Sequence, residues 1–205
     1  MNIIQKIVDD ILATYSSGSN YEIMKASMDH FISKTGKIDE EADEYESRMN
    51  SFNDWFVFNH RLDNGQRIIE NYLEKNKLDD DLKSSLLNTN YSLFLFSKIN
   101  FRKQVIIEDV LHSNKFSLAK DNGILALVES DIFVGRVVSY KEENYLLNGL
   151  CTIPREVYSV LKKESKKIRK LNDSNEEEAF LLNLERLKSR SIQYGHIESN
   201  KIFSF

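Results

Sequence analysis

Apolar positions recur at helical spacing as far as residue 90, and the period then shortens. Ile4, Ile7, Val8, Ile11, Leu12 and Tyr15 form one stripe. SSGSN interrupts it, and Ser19 with Glu22 reads as a capping box opening a second helix. That helix carries Tyr21, Met24, Met28, Phe31 and Ile32, and Gly36 is its stop. A third stripe runs through Ile38, Ala42, Tyr45, Met49, Phe52 and Phe56, with the acidic outer face DEEADEYES. LDNG marks a tight turn. RIIENYLEK follows as a short helix with Ile68, Ile69, Tyr72 and Leu73 inward. DDDLKSSLLN opens on acidic residues suited to the positive end of a helix dipole and turns Leu82, Leu86 and Leu87 inward.

From residue 91 the apolar runs are short and rich in β-formers: YSLFLFSKI, KQVIIEDV, KFSLAK, ILALVE, IFVGRVVSY and NYLLNGL. Turn segments separate them at intervals of roughly eight to twelve residues, which predicts an antiparallel β-barrel or sandwich. The number of strands favours a small barrel. Hairpins are expected at Asp121, Asn122 and Gly123 and again at Lys141 to Asn144. After Pro154 the helical period returns. PREVYSVLKKESKKIRKL places Val157, Val160, Leu161, Ile168 and Leu171 on one side, and a last helix runs through AFLLNLERLKSRS. Tyr194, Ile197, Ile202, Phe203 and Phe205 give the tail enough apolar surface to dock on the body or on a partner. The expected fold is α+β. Residues 1–90 form a helical region, 91–153 a small antiparallel β-barrel of OB or SH3 type, and 154–205 helices and a tail that pack back.

A chain of 205 residues buries roughly 70% of its extended surface, enough for a core without staples. The net charge of −4 is unevenly placed: 155–205 carries 11 Lys and Arg against 8 Asp and Glu, and the rest is acidic. That balance opposes broad nucleic-acid binding but leaves room for a local basic patch. Cys151 is alone and can form no internal disulfide, so a reducing compartment is expected. Asp9 and Asp10 interrupt the first apolar segment, and no run of 18 uncharged apolar residues exists. A cytoplasmic location follows by elimination, with no membrane partner.

The stretch SFNDWFVFNHRLDNG holds the one tryptophan. Trp55, Phe56 and Phe58 read as the hydrophobic seam between helices and barrel, or as a pocket with His60, Arg61 and Asp63 at its rim. The four histidines are dispersed, and neither HExxH nor CxxC spacing occurs, so no metal or cofactor is expected. No nucleophile elbow or phosphate loop is present, and Cys151 reads as a small buried side chain. Lys162, Lys163, Lys166, Lys167, Arg169 and Lys170 put six positive charges within nine residues, where phosphates or a partner could be met.

DWFVFNHRLDNGQRIIENYL, LNTNYSLFLFSKI, EDV and DIFVGRVVSYKEENYLLNGLCTIP together resemble a group of uncharacterised bacterial proteins. Those proteins carry a tryptophan-phenylalanine-aliphatic-phenylalanine motif followed by a small β domain, and some add a zinc-binding SEC-C tail. The resemblance spans about 51–155. It implies helices followed by a barrel and no particular reaction. Asn59 and His60 stand where the group often has a charged residue, and the SEC-C cysteines are absent. The expected function is a non-catalytic binding or regulatory module acting through contacts with a protein partner, self-association included. One alternative is a single-stranded nucleic-acid-binding protein using the barrel and helix 162–170. A second is an enzyme with a pocket near His60.

Overall fold

The computed structural model describes residues 2–120 and 127–205. Asn2 accepts the Gln5 N–H at 2.8 Å and starts α1 (Ile3–Tyr15), whose buried face is Ile4, Ile7, Val8, Ile11 and Tyr15. The expected Ser19 capping box does not form. Ser19 lies inside a 3₁₀ turn over Gly18–Asn20, which leads directly into α2 (Tyr21–Thr35). Gly36 ends that helix at φ +92°, a conformation that favours glycine. The third helix is shorter than its stripe. Residues 38–44 form turns and extended chain, so the acidic segment is a loop, and α3 spans Tyr45–Phe58. LDNG closes as expected: the Leu62 and Gly65 N–H groups donate to Gln66 and Leu62 carbonyls, and Arg61 bridges Arg67 across the turn. Helices α4 (Ile68–Lys75) and α5 (Asp80–Leu87) follow, the latter capped by Asp79.

The sheet has strands β1 (Asn90–Ile99), β2 (Val105–Asp109), β3 (Lys115–Ser117), β4 (Ile132–Tyr140), β5 (Glu143–Leu146) and β6 (Cys151–Ile153). The order is β3-β2-β1-β4-β5, with β6 beside the first half of β4 and all ladders antiparallel. The sheet curls into a half-barrel. Its two edges meet where Leu118 bridges Asn144 and the Ala119 N–H donates to the Asn144 carbonyl at 2.9 Å. The hairpin expected at Asp121, Asn122 and Gly123 lies outside the described residues, as does the first half of ILALVE. Helices α6 (Tyr158–Leu171), α7 (Ser174–Gln193) and α8 (Ser199–Ile202) complete the chain. The tail docks on the body: Phe203 is fully buried, and Phe205 packs 5.7 Å from the Phe180 ring.

Strand periodicity explains how these parts share one sheet. On β4, Phe133 and Val137 point into the curl with Phe94, Phe96, Ile107, Leu118 and Leu146. The other file of β4 faces outward. Ile132 and Val134 pack with Leu161, Leu181 and Leu184 of α6 and α7, whereas Val138 and Tyr140 pack with the N-terminal helices. Two helical groups therefore cover the two halves of one strand face. Gly149 makes a close approach that only glycine permits. A β-carbon there would meet the Asp54 carboxylate and lie 2.7 Å from the Asn50 carbonyl of α3.

Trp55 lies on the buried side of α3, between His30 at 5.7 Å, Phe31 at 5.5 Å and His60 at 5.6 Å, ring to ring. Its indole N–H donates to Glu178 of α7 at 2.8 Å. Trp55→Ala therefore removes a large buried ring and a half-buried hydrogen bond. We expect a loss of about 3–5 kcal/mol in urea unfolding. An unfolding midpoint near that of the wild type would show that the ring bears little of the packing.

Candidate functional site

The outward file of β4 reads Ile132, Val134, Arg136, Val138, Tyr140. An arginine occupies the middle of an apolar series, where the two helical groups meet. Arg136 is 3% exposed. Phe58 and Tyr91 hold its guanidinium from two sides, with the carbon 4.8 Å and 4.7 Å from their ring centres. Tyr91 is its cross-strand neighbour. Nη1 donates to Thr89 Oγ1 at 2.7 Å, and Nη2 donates to Asn59 Oδ1. Nε has no partner, and no carboxylate forms an ion pair with the group among the described residues. Asp54 and Glu178 favour its charge only through space, and burial lowers its pKa to about 10, leaving it charged at neutral pH.

Arg136 forms part of a cleft of about 350 Å³. Asn59, Arg61 and Arg67 come from the turn after α3, Thr89 to Tyr91 from the start of β1, and Ser174, Asn175, Glu177 and Glu178 from the first turns of α7. Each carboxylate has a fixed partner. Trp55 bonds Glu178, and His112 bridges Glu177 at 3.2 Å and Asp109 at 3.1 Å. Asp109 is itself buried and accepts from Ser92, Asn90 and the Leu111 and His112 N–H groups. No group of three or more His, Cys, Asp or Glu side chains is arranged for a metal ion among the described residues.

The structure thus distributes the residues singled out from SFNDWFVFNHRLDNG. Phe58 and Arg61 line the cleft. Trp55 stands behind it and orients Glu178. Phe56 is core, packed edge-on against Tyr15 at 5.3 Å. His60 is outside the cleft, stacked on Phe56 at 5.7 Å, and burial lowers its pKa. Asp63 is exposed in the turn. Cys151 is buried, which pushes its thiol well up and leaves no thiolate. Sequence reasoning passed over Arg136, Thr89, Glu177 and Glu178. The signal for Arg136 was available: a charge inside a two-residue apolar alternation.

The chain belongs to DUF7986, a family of unknown function whose model matches residues 2–187. That span includes α1 to α6, the sheet, the first part of α7 and every residue of the cleft. No curated protein and no solved structure matches the chain. No described helix is long and apolar enough to cross a membrane.

Further surfaces lie outside the cleft. Lys162, Lys163, Lys166, Lys167 and Lys170 are exposed along α6, while Arg169 donates to Ser113 at 2.7 Å and Lys167 pairs with Glu164 at 2.6 Å. At the far end of α7, two hollows of about 440 and 460 Å³ share Arg186 and Arg190. Tyr45, Ile192, Tyr194 and Ile197 stand exposed around them.

Behind the cleft, Asp54 accepts the Gly149 N–H at 2.8 Å. Burial lifts its carboxyl to about 7 against the pull of Arg136 and that N–H. Its folded pKa is raised, so its contribution to stability is complete below about pH 4 and is lost as pH rises through 7. Asp54→Asn should remove that decline. Between pH 5 and 7 the wild type should lose up to about 1.4 kcal/mol per pH unit that the variant keeps, read from urea midpoints. Parallel profiles would mean that Asp54 is ionised in the fold throughout.

Proposed function

We propose that the chain is a non-catalytic binding or regulatory module acting through protein–protein contacts, with a protein partner or a second copy of itself. The observation that carries this reading is the exposed apolar rim at the end of α7. Ile192 is 44% exposed and Tyr194 39%, beside two hollows that share a pair of arginines. Apolar side chains left in water beside concave surface are what a docked chain covers, and tyrosine and arginine are the residues that such contacts favour. A photo-crosslinking residue at position 192 should give a discrete adduct, either a dimer of the chain or a complex with one partner. The same probe at Lys25, exposed on α2, should give none. Ile192→Glu with Tyr194→Glu should abolish the association without changing the melting temperature by more than a few degrees. Equal adducts at both positions, or none at 192, would remove this reading.

A second reading treats the curled sheet as a small OB or SH3-like barrel that binds single-stranded nucleic acid with helix α6. The exposed lysines of α6 favour it. Phe94, Phe96 and Phe133 are buried within the curl, so stacking would fall to aromatics such as Phe101, which is 90% exposed at the β1–β2 turn. Labelled oligonucleotides at two salt concentrations separate the readings. Micromolar binding that weakens with salt, and that Lys166→Glu with Lys167→Glu abolishes, would favour the nucleic-acid reading. No binding at low salt would leave the protein-contact reading alone.

A further inference from the structure

We propose that the cleft at the seam of β4 binds a small phosphate monoester that also carries hydroxyl groups. This goes beyond the protein-contact reading and does not depend on it. The floor of the cleft is a guanidinium that the fold leaves incompletely satisfied. Arg136 is nearly fully buried, has an unpartnered Nε, and makes no ion pair among the described residues. A buried charge is ordinarily paired, and an anion held in the cleft would supply the counter-charge that no carboxylate supplies to Arg136 among the described residues.

A second observation points the same way. Arg61 and Arg67 sit directly opposite each other across the turn after α3, and both line the cleft. Like charges in opposed positions repel unless an anion lies between them. Glu70 takes part of the Arg67 charge at 2.8 Å, whereas Arg61 reaches only the Gly65 carbonyl, also at 2.8 Å. Three guanidinium groups thus approach the cavity from the sheet and from a turn. A planar carboxylate presents two oxygens in one plane and one charge, which a single arginine can satisfy. A phosphate dianion presents three strong acceptors in different directions and a charge near two. The arrangement therefore favours phosphate.

The cleft is not uniformly basic, and its acids restrict the ligand further. Glu177 and Glu178 line the same cleft, fixed there by His112 and Trp55. They would repel a bare polyanion. They would accept hydrogen bonds from hydroxyl groups placed beside the phosphate. A volume of about 350 Å³ suits a compound of sugar-phosphate size and excludes a folded chain or a duplex.

The test is calorimetric titration of the intact chain with ribose 5-phosphate, inorganic phosphate, ribose and citrate. Ribose 5-phosphate should bind saturably and at least tenfold more tightly than inorganic phosphate, with ribose silent. Arg61→Gln, an exposed change that leaves the core intact, should weaken that binding about tenfold or more, the effect of one lost charge-assisted hydrogen bond. Arg102→Gln, on the exposed β1–β2 turn, should not change it. The proposal falls if none of the phosphates binds at millimolar concentration, or if citrate binds and the phosphates do not. It also falls if inorganic phosphate binds as tightly as the sugar phosphate, or if Arg61→Gln binds like the wild type. None of these results bears on photo-crosslinking at position 192, so the two readings stand or fall separately.

Discussion

Two polar clasps between α3 and α7 set the geometry on which the rest of the molecule depends. Arg48 bonds Glu185 at 3.2 Å, and Trp55 bonds Glu178 at 2.8 Å. The partners are seven residues apart on each helix and run in opposite order. Seven residues are two turns, about 10.5 Å of axis, so each helix presents both groups on one face. Such a pair of clasps fixes the register of an antiparallel helix against its partner. Arg48 also donates to the Thr35 hydroxyl at 3.0 Å and the Gly36 carbonyl at 2.8 Å, which ties in the end of α2. The N-terminal helices, the last long helix and the outward face of β4 are thereby locked together. One turn of slip on α7 would withdraw Glu177 and Glu178 from the cleft and leave two buried charges unpaired.

These clasps are costly to build. Burial pushes the Glu185 carboxyl up, and only the adjacent Arg48 and the Tyr91 hydroxyl oppose that shift. Apolar residues of similar volume would hold the two helices together at least as firmly, because desolvation offsets most of the attraction of a buried pair. What apolar packing does not supply is register. Leucine against leucine tolerates a slip that a paired arginine and glutamate do not. The distinction matters here because α7 packs against α2, α6, α8 and the sheet as well as being clasped to α3.

The sequence made the architecture legible wherever periodicity alone decided it. The stripe of α1 is its buried face, the change of period at residue 91 falls at the start of β1, and Gly36 ends α2. Local chemistry was less reliable. Ser19 and Glu22 have the spacing of a capping box, yet a 3₁₀ turn takes Ser19 before a cap can form. Ile38 and Ala42 extend the stripe of α3 backwards, yet the chain there turns, and Ile38 only packs against the core from outside the helix. The site was the least visible part, because its residues come from five separate segments that no spacing connects. Its signals were present as exceptions: Arg136 inside IFVGRVVSY and Glu185 inside LLNLERL each break an apolar pattern. A charge in a core-facing position implies a distant partner, and that partner cannot be named from one chain segment.

Arg136 is also a charge in a core-facing position. At that position the strand face is covered on both sides, and a leucine or methionine would seal the seam between the two helical groups. The guanidinium recovers part of its desolvation cost from Phe58 and Tyr91 and from two hydrogen bonds. It does not recover all of it, since Nε stays unpartnered. The fold could be more stable without this charge, and the seam would then have no opening at its centre. A buried cation beside a polar cleft, with no carboxylate paired to it among the described residues, is the arrangement that the proposed anion would complete.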